Sequence, residues 1–134
     1  MQSYDVMIIG SGAAGLSVAL ALPQHLNIAL ISKSKINEGA TFYAQGGISA
    51  VMDPRDTQAA HIADTLDAGV GLCHSDVVEH IVNNGRNRIE WLIEQGVPFS
   101  TRTSKSGEEE FHLTQEGGHS HRRVVHAADA TGEA

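Results

Sequence analysis

The chain has 134 residues, enough for one domain, and its 41% hydrophobic content is sufficient for a core, which excludes global disorder. Nine Lys and Arg against sixteen Asp and Glu give a formal net charge of −7, and this acidic balance without a basic stripe excludes nucleic acid as an expected partner. No stretch approaches the ~20 apolar residues of a membrane span, and the single cysteine permits no intramolecular disulfide, so we expect a cytoplasmic protein with no membrane contact.

The first predicted element is a strand at Val6–Ile9, a continuous apolar run typical of a parallel strand covered on both faces. The next six residues, 10–15, have the G-x-G-x-x-G spacing of a dinucleotide-binding turn. In such a turn Gly10 allows a sharp bend, Gly12 lets a pyrophosphate approach the backbone, and Gly15 lets the next helix pack close to the strand. The free N–H groups at that helix N-terminus favour phosphate.

The residues after the turn complete a β-α-β unit. A helical pattern of apolar residues continues as far as Pro23, and a second buried strand is predicted over Asn27–Ser32. The unit spans about 29 residues, close to the ~30 expected of a βαβ motif. This context disfavours the alternative of an ordinary glycine-rich turn, and we predict an α/β fold with a Rossmann-like nucleotide-binding unit.

One position departs from the dinucleotide fingerprint. A carboxylate that binds a ribose hydroxyl is expected at the end of the second strand, where this chain has Ser32 and Lys33. Lys33 is compatible with the 2′-phosphate of NADP, with the adenosine ribose or phosphate of a flavin nucleotide, or with a solvated lysine. Lys33 alone does not choose between these three.

A loop is predicted over 33–47, with glycines at its end that allow close contact with a ligand. A short strand at 48–52 and a helix from Asp56 or Thr57 to about Ala68 follow. The expected apolar face of that helix consists of Ala59, Ile62, Ala63 and Leu66. A second helix is predicted from Ser75-Asp76 to Gly96, with a close packing contact at Gly85.

The last third of the chain is more polar. Short strands are predicted at Val97–Thr101 and Phe111–Thr114, joined by the polar segment 102–110, and the entry to another helix at 127–134. The stretch 116–126 holds one carboxylate, three imidazoles and two guanidiniums. The histidines lack further ligands at zinc spacings and guanidiniums suit anions, so we predict no metal site. An anion site and a polar loop that caps the core stay open as alternatives.

Three motifs together resemble the L-aspartate oxidases, flavoproteins of the FAD-dependent succinate dehydrogenase and fumarate reductase superfamily. They are Gly10–Gly15, Thr41–Gly47 and His112–Arg123, and the resemblance covers essentially all 134 residues. Members of that family are several times longer. The resemblance therefore implies that 1–134 is the N-terminal portion of an incomplete FAD-binding domain, with the capping and C-terminal domains absent, and that the isolated chain is inactive and poorly folded.

The resemblance implies a reaction. L-Aspartate would lose a hydride to FAD and become iminoaspartate, with oxygen or fumarate as the final electron acceptor, in the first step of de novo NAD synthesis through quinolinate. By this pathway it also names quinolinate synthase as a partner. Two alternatives stay open: a succinate dehydrogenase or fumarate reductase-like flavoprotein, and a non-catalytic, truncated FAD-binding remnant.

The resemblance also implies roles for residues. Those expected to contact FAD are Gly10, Ser11, Gly12, Ala13, Ala14, Gly15, Lys33, Ala40, Thr41, Phe42, Tyr43, Ala44, Gln45, Gly46 and Gly47. Ala40 stands where the dehydrogenases carry a histidine linked to FAD, so FAD is expected to bind non-covalently. Glu116 matches the carboxylate that meets the substrate amino group, and it is the predicted catalytic residue. The residues expected to shape the flavin surroundings and the fold are His119, His121, Arg122 and Arg123.

Overall fold

The computed structural model describes residues 2–134, which form three helices and six strands. In chain order these are β1 (Val6–Ile9), α1 (Ala13–Ala21), β2 (Ile28–Ile31), β3 (Ile48–Ser49), α2 (Gln58–Ala68), α3 (Ser75–Glu94), β4 (Thr101–Thr103), β5 (Glu109–Phe111) and β6 (Val124–Val125). The strands pair as parallel β1–β2, antiparallel β3–β6 and antiparallel β4–β5. None of the described helices is both long and apolar enough to cross a membrane.

The predicted β-α-β unit is confirmed. β1 and β2 run parallel, from Val6 opposite Ile28 to Ile9 opposite Ile31. Gly10 ends β1 with a φ of 114°, a conformation that glycine adopts without strain. A Cβ on Gly15 would lie 2.0 Å from the carbonyl oxygen of Gly10, so only glycine lets α1 pack this close to the turn.

The expectation that β1 is covered on both faces is wrong for this chain. Ile8 is buried on the face that meets α1, where it is the nearest apolar side chain to Gly15. Met7 and Ile9 lie on the opposite face because side chains alternate along a strand. They are 62% and 79% exposed, so this face of the sheet stays open in the described chain.

The core lies between α3 and the β3–β6 pair, and not around the β1–β2 sheet. Its buried members are Ala50, Ile89, Phe99, Leu113 and Val125. The predicted close contact at Gly85 of α3 is confirmed, since a Cβ there would stand 3.5 Å from the Cβ of Ala50. α3 begins at Ser75 as predicted, with His74 as its N-cap and Asp76 in its first turn.

The predicted start of α2 is confirmed, and its predicted apolar face is wrong only in part, since Ile62 and Leu66 are half-buried. The hydroxyl of Thr57 accepts a hydrogen bond from the backbone N–H of Ala60 at 3.1 Å and caps the helix. Ala59 and Ala63 are exposed, whereas His61 is the buried residue of this helix. The helix is rotated from the apolar prediction because it turns polar side chains toward a buried arginine, described below.

The predicted bounds of the two strands are wrong, because β4 and β5 lie largely within the polar segment 102–110 and share only Thr101 and Phe111 with the predicted strands. Thr101 pairs with Phe111 and Arg102 with Glu110. An ion pair of 2.8 Å between the side chains of Arg102 and Glu110 supports this exposed ladder. Polar cross-strand pairs, not an alternating apolar pattern, therefore define β4 and β5.

The helix expected to begin within 127–134 is absent from the described residues, which form turns there instead. The hydroxyl of Thr131 accepts a hydrogen bond from the N–H of Ala127 at 2.9 Å. The N–H of Gly132 donates to the carbonyl of Ala44 at 2.9 Å. This segment is thereby attached to the 40–47 loop.

Candidate functional site

The glycine turn lies at the carboxyl ends of β1 and β2. The N–H of Gly10 donates to the carbonyl of Ile31 at 2.8 Å, and the hydroxyls of Ser11 and Ser32 are 3.0 Å apart. In open α/β sheets, ligands bind just beyond these strand ends. The structure thus places the predicted dinucleotide turn where such a ligand would be held.

The second predicted FAD segment meets this turn directly. The backbone N–H of Ala13 donates to the hydroxyl of Thr41 at 3.1 Å, and a Cβ on Gly12 would lie 3.3 Å from the same oxygen. The N-cap of α1 is Gly12, which has no side chain to cap the helix, and the first turn has no acidic residue. Apart from the N–H of Ala13, which donates to Thr41, the N-terminal N–H groups have no competing carboxylate, so the turn fits the diphosphate of a dinucleotide.

Other predicted FAD contacts lie around this turn, each with its own local structure. Lys33 is exposed just after β2. The hydroxyl of Tyr43 donates to the carboxylate of Glu38 at 3.2 Å, and the charge of Glu38 raises the pKa of Tyr43. A Cβ on Gly47 would lie 2.1 Å from the carbonyl oxygen of Val125, so packing against β6 already requires a glycine at 47.

The predicted catalytic residue, Glu116, lies exposed on a tight turn. The turn is closed by a hydrogen bond of 3.2 Å from the N–H of His119 to the carbonyl of Glu116. At its base, the N–H of Thr114 donates to the carbonyl of Val124 at 3.1 Å. Since Val124 belongs to β6, which pairs with the β3 strand after Gly47, the turn is joined to the second FAD segment.

A buried ion-pair network that sequence reasoning missed lies beside this turn. Arg123 is fully buried, and its Nε and Nη2 donate to the two carboxylate oxygens of Asp56 at 2.9 Å each. Its Nη1 donates to Asp64 Oδ2 at 2.8 Å. Asp56 lies 67 positions away in the chain, so no local spacing rule links it to Arg123. Arg123 is expected to shape the fold, and these contacts with Asp56 and Asp64 show how it does so.

Asp64 is the point where this network meets the turn. Its Oδ2 also accepts hydrogen bonds from the backbone N–H of Ser120 at 2.7 Å and from the hydroxyl of Ser120 at 2.8 Å. These two bonds and then Arg123 hold the pKa of Asp64 at about 2, against 3.8 for an ordinary aspartate. Asp64 therefore stays ionised at neutral pH.

Histidines surround the network without forming a metal site. His61 is 8% exposed, and its Nδ1 has no hydrogen-bond partner among the described residues. Burial, followed by the charge of Arg123, lowers the pKa of His61 and favours its neutral form. His121 Nδ1 lies 3.5 Å from the Asp56 carboxylate. Residues 2–134 contain no group of three or more His, Cys, Asp or Glu side chains that could hold a metal ion.

Comparison with known proteins adds a family to this geometry. A model described as FAD binding domain matches residues 5–134. The chain is 60% identical over 129 residues to an L-aspartate oxidase of Yersinia pestis, covering 96% of this chain and 24% of that protein. It is 58% identical to an L-aspartate oxidase of Pseudomonas aeruginosa, covering 98% of this chain and 25% of that protein.

The solved structures point in the same direction. The chain is similar to an E. coli quinol fumarate reductase FrdA variant, with a TM-score of 0.84, 34% identity, and coverage of 97% of this chain and 22% of that one. The chain spans about a quarter of the length of the curated relatives it matches. The expected α/β fold is confirmed, and it is that of the FAD-binding domain of the succinate dehydrogenase and fumarate reductase flavoproteins.

Proposed function

The chain belongs to the FAD binding domain family, and on that premise we propose that it is the FAD-binding part of an L-aspartate oxidase. The cofactor is FAD. The proposed reaction is the oxidation of L-aspartate to iminoaspartate, with oxygen or fumarate as acceptor. One observation carries the choice of aspartate: the 60% identity to the Yersinia pestis enzyme over 129 residues.

The glycine turn and Thr41 would hold the dinucleotide part of FAD. Gly12 leaves the backbone open to a phosphate, and the N-terminus of α1 supplies N–H groups toward it. Bound FAD supplies the hydride acceptor, which no amino-acid side chain can provide. Ala40 has only a methyl group where a covalent link would need a nucleophilic side chain, so FAD binds non-covalently.

Glu116 would recognise the substrate. An exposed carboxylate suits the ammonium group of aspartate, and it is also able to take a proton from the amine as the hydride leaves. The turn that carries Glu116 is fixed at its base to β6 and beside it to α2. Glu116 is therefore presented on a defined framework and not on a free loop.

The proposal extends to the surroundings of the enzyme. Iminoaspartate would pass to quinolinate synthase in the synthesis of NAD. We place the protein in the cytoplasm, since a chain with Cys73 as its single cysteine suits a reducing compartment.

A chimaeric enzyme tests the function. In the chimaera, residues 1–134 of this chain replace the matching part of the Yersinia pestis L-aspartate oxidase. Hydrogen peroxide is measured with L-aspartate or succinate as substrate. We expect oxidation of aspartate, and a flavin that is released when the protein is denatured. Oxidation of succinate with a flavin that stays attached would instead favour a succinate dehydrogenase-like protein. Failure to bind FAD would favour a non-catalytic remnant.

The role of Glu116 is tested in the same chimaera. Glu116→Gln removes the charge that meets the ammonium, so we expect kcat/KM for aspartate to fall by about 100-fold while the FAD content is unchanged. Glu108→Gln, on the exposed hairpin, serves as the matched control and should leave kcat/KM unchanged. An unchanged kcat/KM in Glu116→Gln would remove Glu116 from the mechanism.

A further inference from the structure

We infer that Asp64, Ser120 and Arg123 form a clamp that positions Glu116 for its substrate. The inference rests on the proposed function and adds positioning residues to it. Arg123 and Asp64 have no contact with the substrate in this scheme. They act through Ser120 on the turn that carries Glu116.

The clamp is one of two hydrogen-bonded attachments of that turn. The first attachment is its base, where Thr114 and Val124 are hydrogen bonded across the chain. The second is Ser120, whose N–H and hydroxyl both donate to Asp64 Oδ2 at 2.7 and 2.8 Å. Glu116 lies between these two points. Loss of the Ser120 attachment would leave the turn hydrogen bonded at its base alone, with the edge-on contact of His119 and His61 as its remaining contact with α2.

Asp64 can hold Ser120 in place because Asp64 is itself held. Arg123 Nη1 donates to Asp64 Oδ2 at 2.8 Å, and the guanidinium is fixed by two bonds of 2.9 Å to Asp56. Asp56 lies just before α2, and Asp64 lies within it. The arginine, which is bidentate on Asp56, therefore holds the turn to the residues before α2 and to the middle of that helix, as a lysine could not.

The interior of the turn supports the same conclusion. The ring of His119 meets the ring of the buried His61 edge-on, with centroids 6.1 Å apart. The Nδ1 of His119 also accepts a hydrogen bond from the N–H of Glu116 at 3.5 Å. His119, next to Ser120, therefore contacts both the buried His61 of α2 and the backbone of Glu116, which gives a shift at Asp64 a path to Glu116.

The experiment is a double-mutant cycle in the chimaera. Asp64→Asn replaces the charged acceptor that Ser120 and Arg123 share with an amide oxygen, which accepts hydrogen bonds more weakly, and we expect KM for aspartate to rise about tenfold with an unchanged dissociation constant for FAD. In the Glu116→Gln background, the same substitution should change KM by less than about twofold, since the residue it positions is already disabled. Asp67→Asn, an exposed change on the same helix, is the control and should have no effect.

A second measurement does not depend on activity. Hydrogen–deuterium exchange should become faster at residues 115–122 in Asp64→Asn, while exchange in the β4–β5 hairpin stays the same. Unchanged exchange at 115–122, or equal effects of Asp64→Asn in both backgrounds, would overturn the clamp. If the parent chimaera does not oxidise aspartate, the proposed function fails, and exchange still decides whether the clamp holds the turn.

Discussion

At the scale of single residues, the two charged groups that matter most have opposite environments. Glu116 is exposed, and its carboxylate has no hydrogen-bond partner among residues 2–134, whereas Arg123 is completely buried and its guanidinium is bonded to two aspartates. A buried guanidinium left without partners would be strongly destabilising, so Arg123 needs Asp56 and Asp64 to fold. Glu116 is thus the proposed substrate-binding residue, and Arg123, seven positions later, holds the surrounding fold together.

The perturbed aspartate predicts a dependence of stability on pH. The pKa of Asp64 is about 2 in the folded protein, against 3.8 for an ordinary aspartate. A depressed pKa contributes stability that is complete above the unfolded value and is lost as the pH falls toward the folded value. We therefore expect the stability gap between the parent chimaera and Asp64→Asn to be largest near pH 7 and to narrow between about pH 5 and pH 2.

Urea unfolding at a series of pH values measures this gap. Asp129→Asn, which changes an exposed aspartate in the last turns, is the control and should show no gap of this kind. A gap of constant size from pH 7 to pH 3 would mean that the contacts of Asp64 do not depend on its charge.

At the scale of elements, the sequence patterns predict those helices and strands whose contacts are close together in the chain. The β1-α1-β2 unit was predicted from one apolar run, one glycine spacing and one proline, because its contacts are close in sequence. The pairing of β3 with β6 was not predicted, since Ile48 and Val125 meet only after the chain has folded back. The two strands are also too short to carry a pattern of their own.

The candidate site likewise has features that the sequence predicts and features that it does not. The contact of Ala13 with Thr41 lies between motifs that the sequence singled out, although their distance could not be derived from it. The burial of His61 could not be predicted, because apolar periodicity favoured Ala59 and Ala63 on the buried face of α2. An arginine far along the chain overrides that pattern by requiring polar partners.

Gly85 of α3 allows a test of helix packing. A Cβ there would contact Ala50 at an ordinary distance of 3.5 Å, so alanine fits without strain. We expect Gly85→Ala to stabilise the chimaera by about 0.5–1 kcal/mol, because alanine has the higher helix propensity. Gly85→Leu should instead destabilise it by about 1–3 kcal/mol, since the longer side chain would press on the buried Ala50.

Unfolding in urea decides between these outcomes. A loss of stability in Gly85→Ala would mean that α3 lies closer to Ala50 than 3.5 Å allows. Equal stability of the alanine and leucine variants would mean that this side of α3 is not packed at all.

At the scale of the whole molecule, the buried core and the nucleotide-binding unit lie in different parts of the chain. The core residues come from β3 onward, while α1 has no fully buried residue. Apolar side chains of β1 and α1 stay open, with Met7, Ile9 and Leu20 at least 62% exposed. Met7 and Ile9 share one open face of the sheet, and an exposed apolar face marks an interaction surface or promotes aggregation.

This distribution predicts how residues 1–134 behave alone. We expect the isolated chain to bind a hydrophobic dye such as ANS strongly, because the open face of β1 accepts apolar ligands. Supplied with FAD and L-aspartate, it should form no hydrogen peroxide, since Glu116 is the single substrate-binding group that the proposed function assigns to this stretch. The chimaera, assayed beside it, should form peroxide and bind less dye. Steady peroxide production by the isolated chain would show that Glu116 and the glycine turn suffice for catalysis. That result would contradict the proposal that this stretch is inactive without the rest of the enzyme.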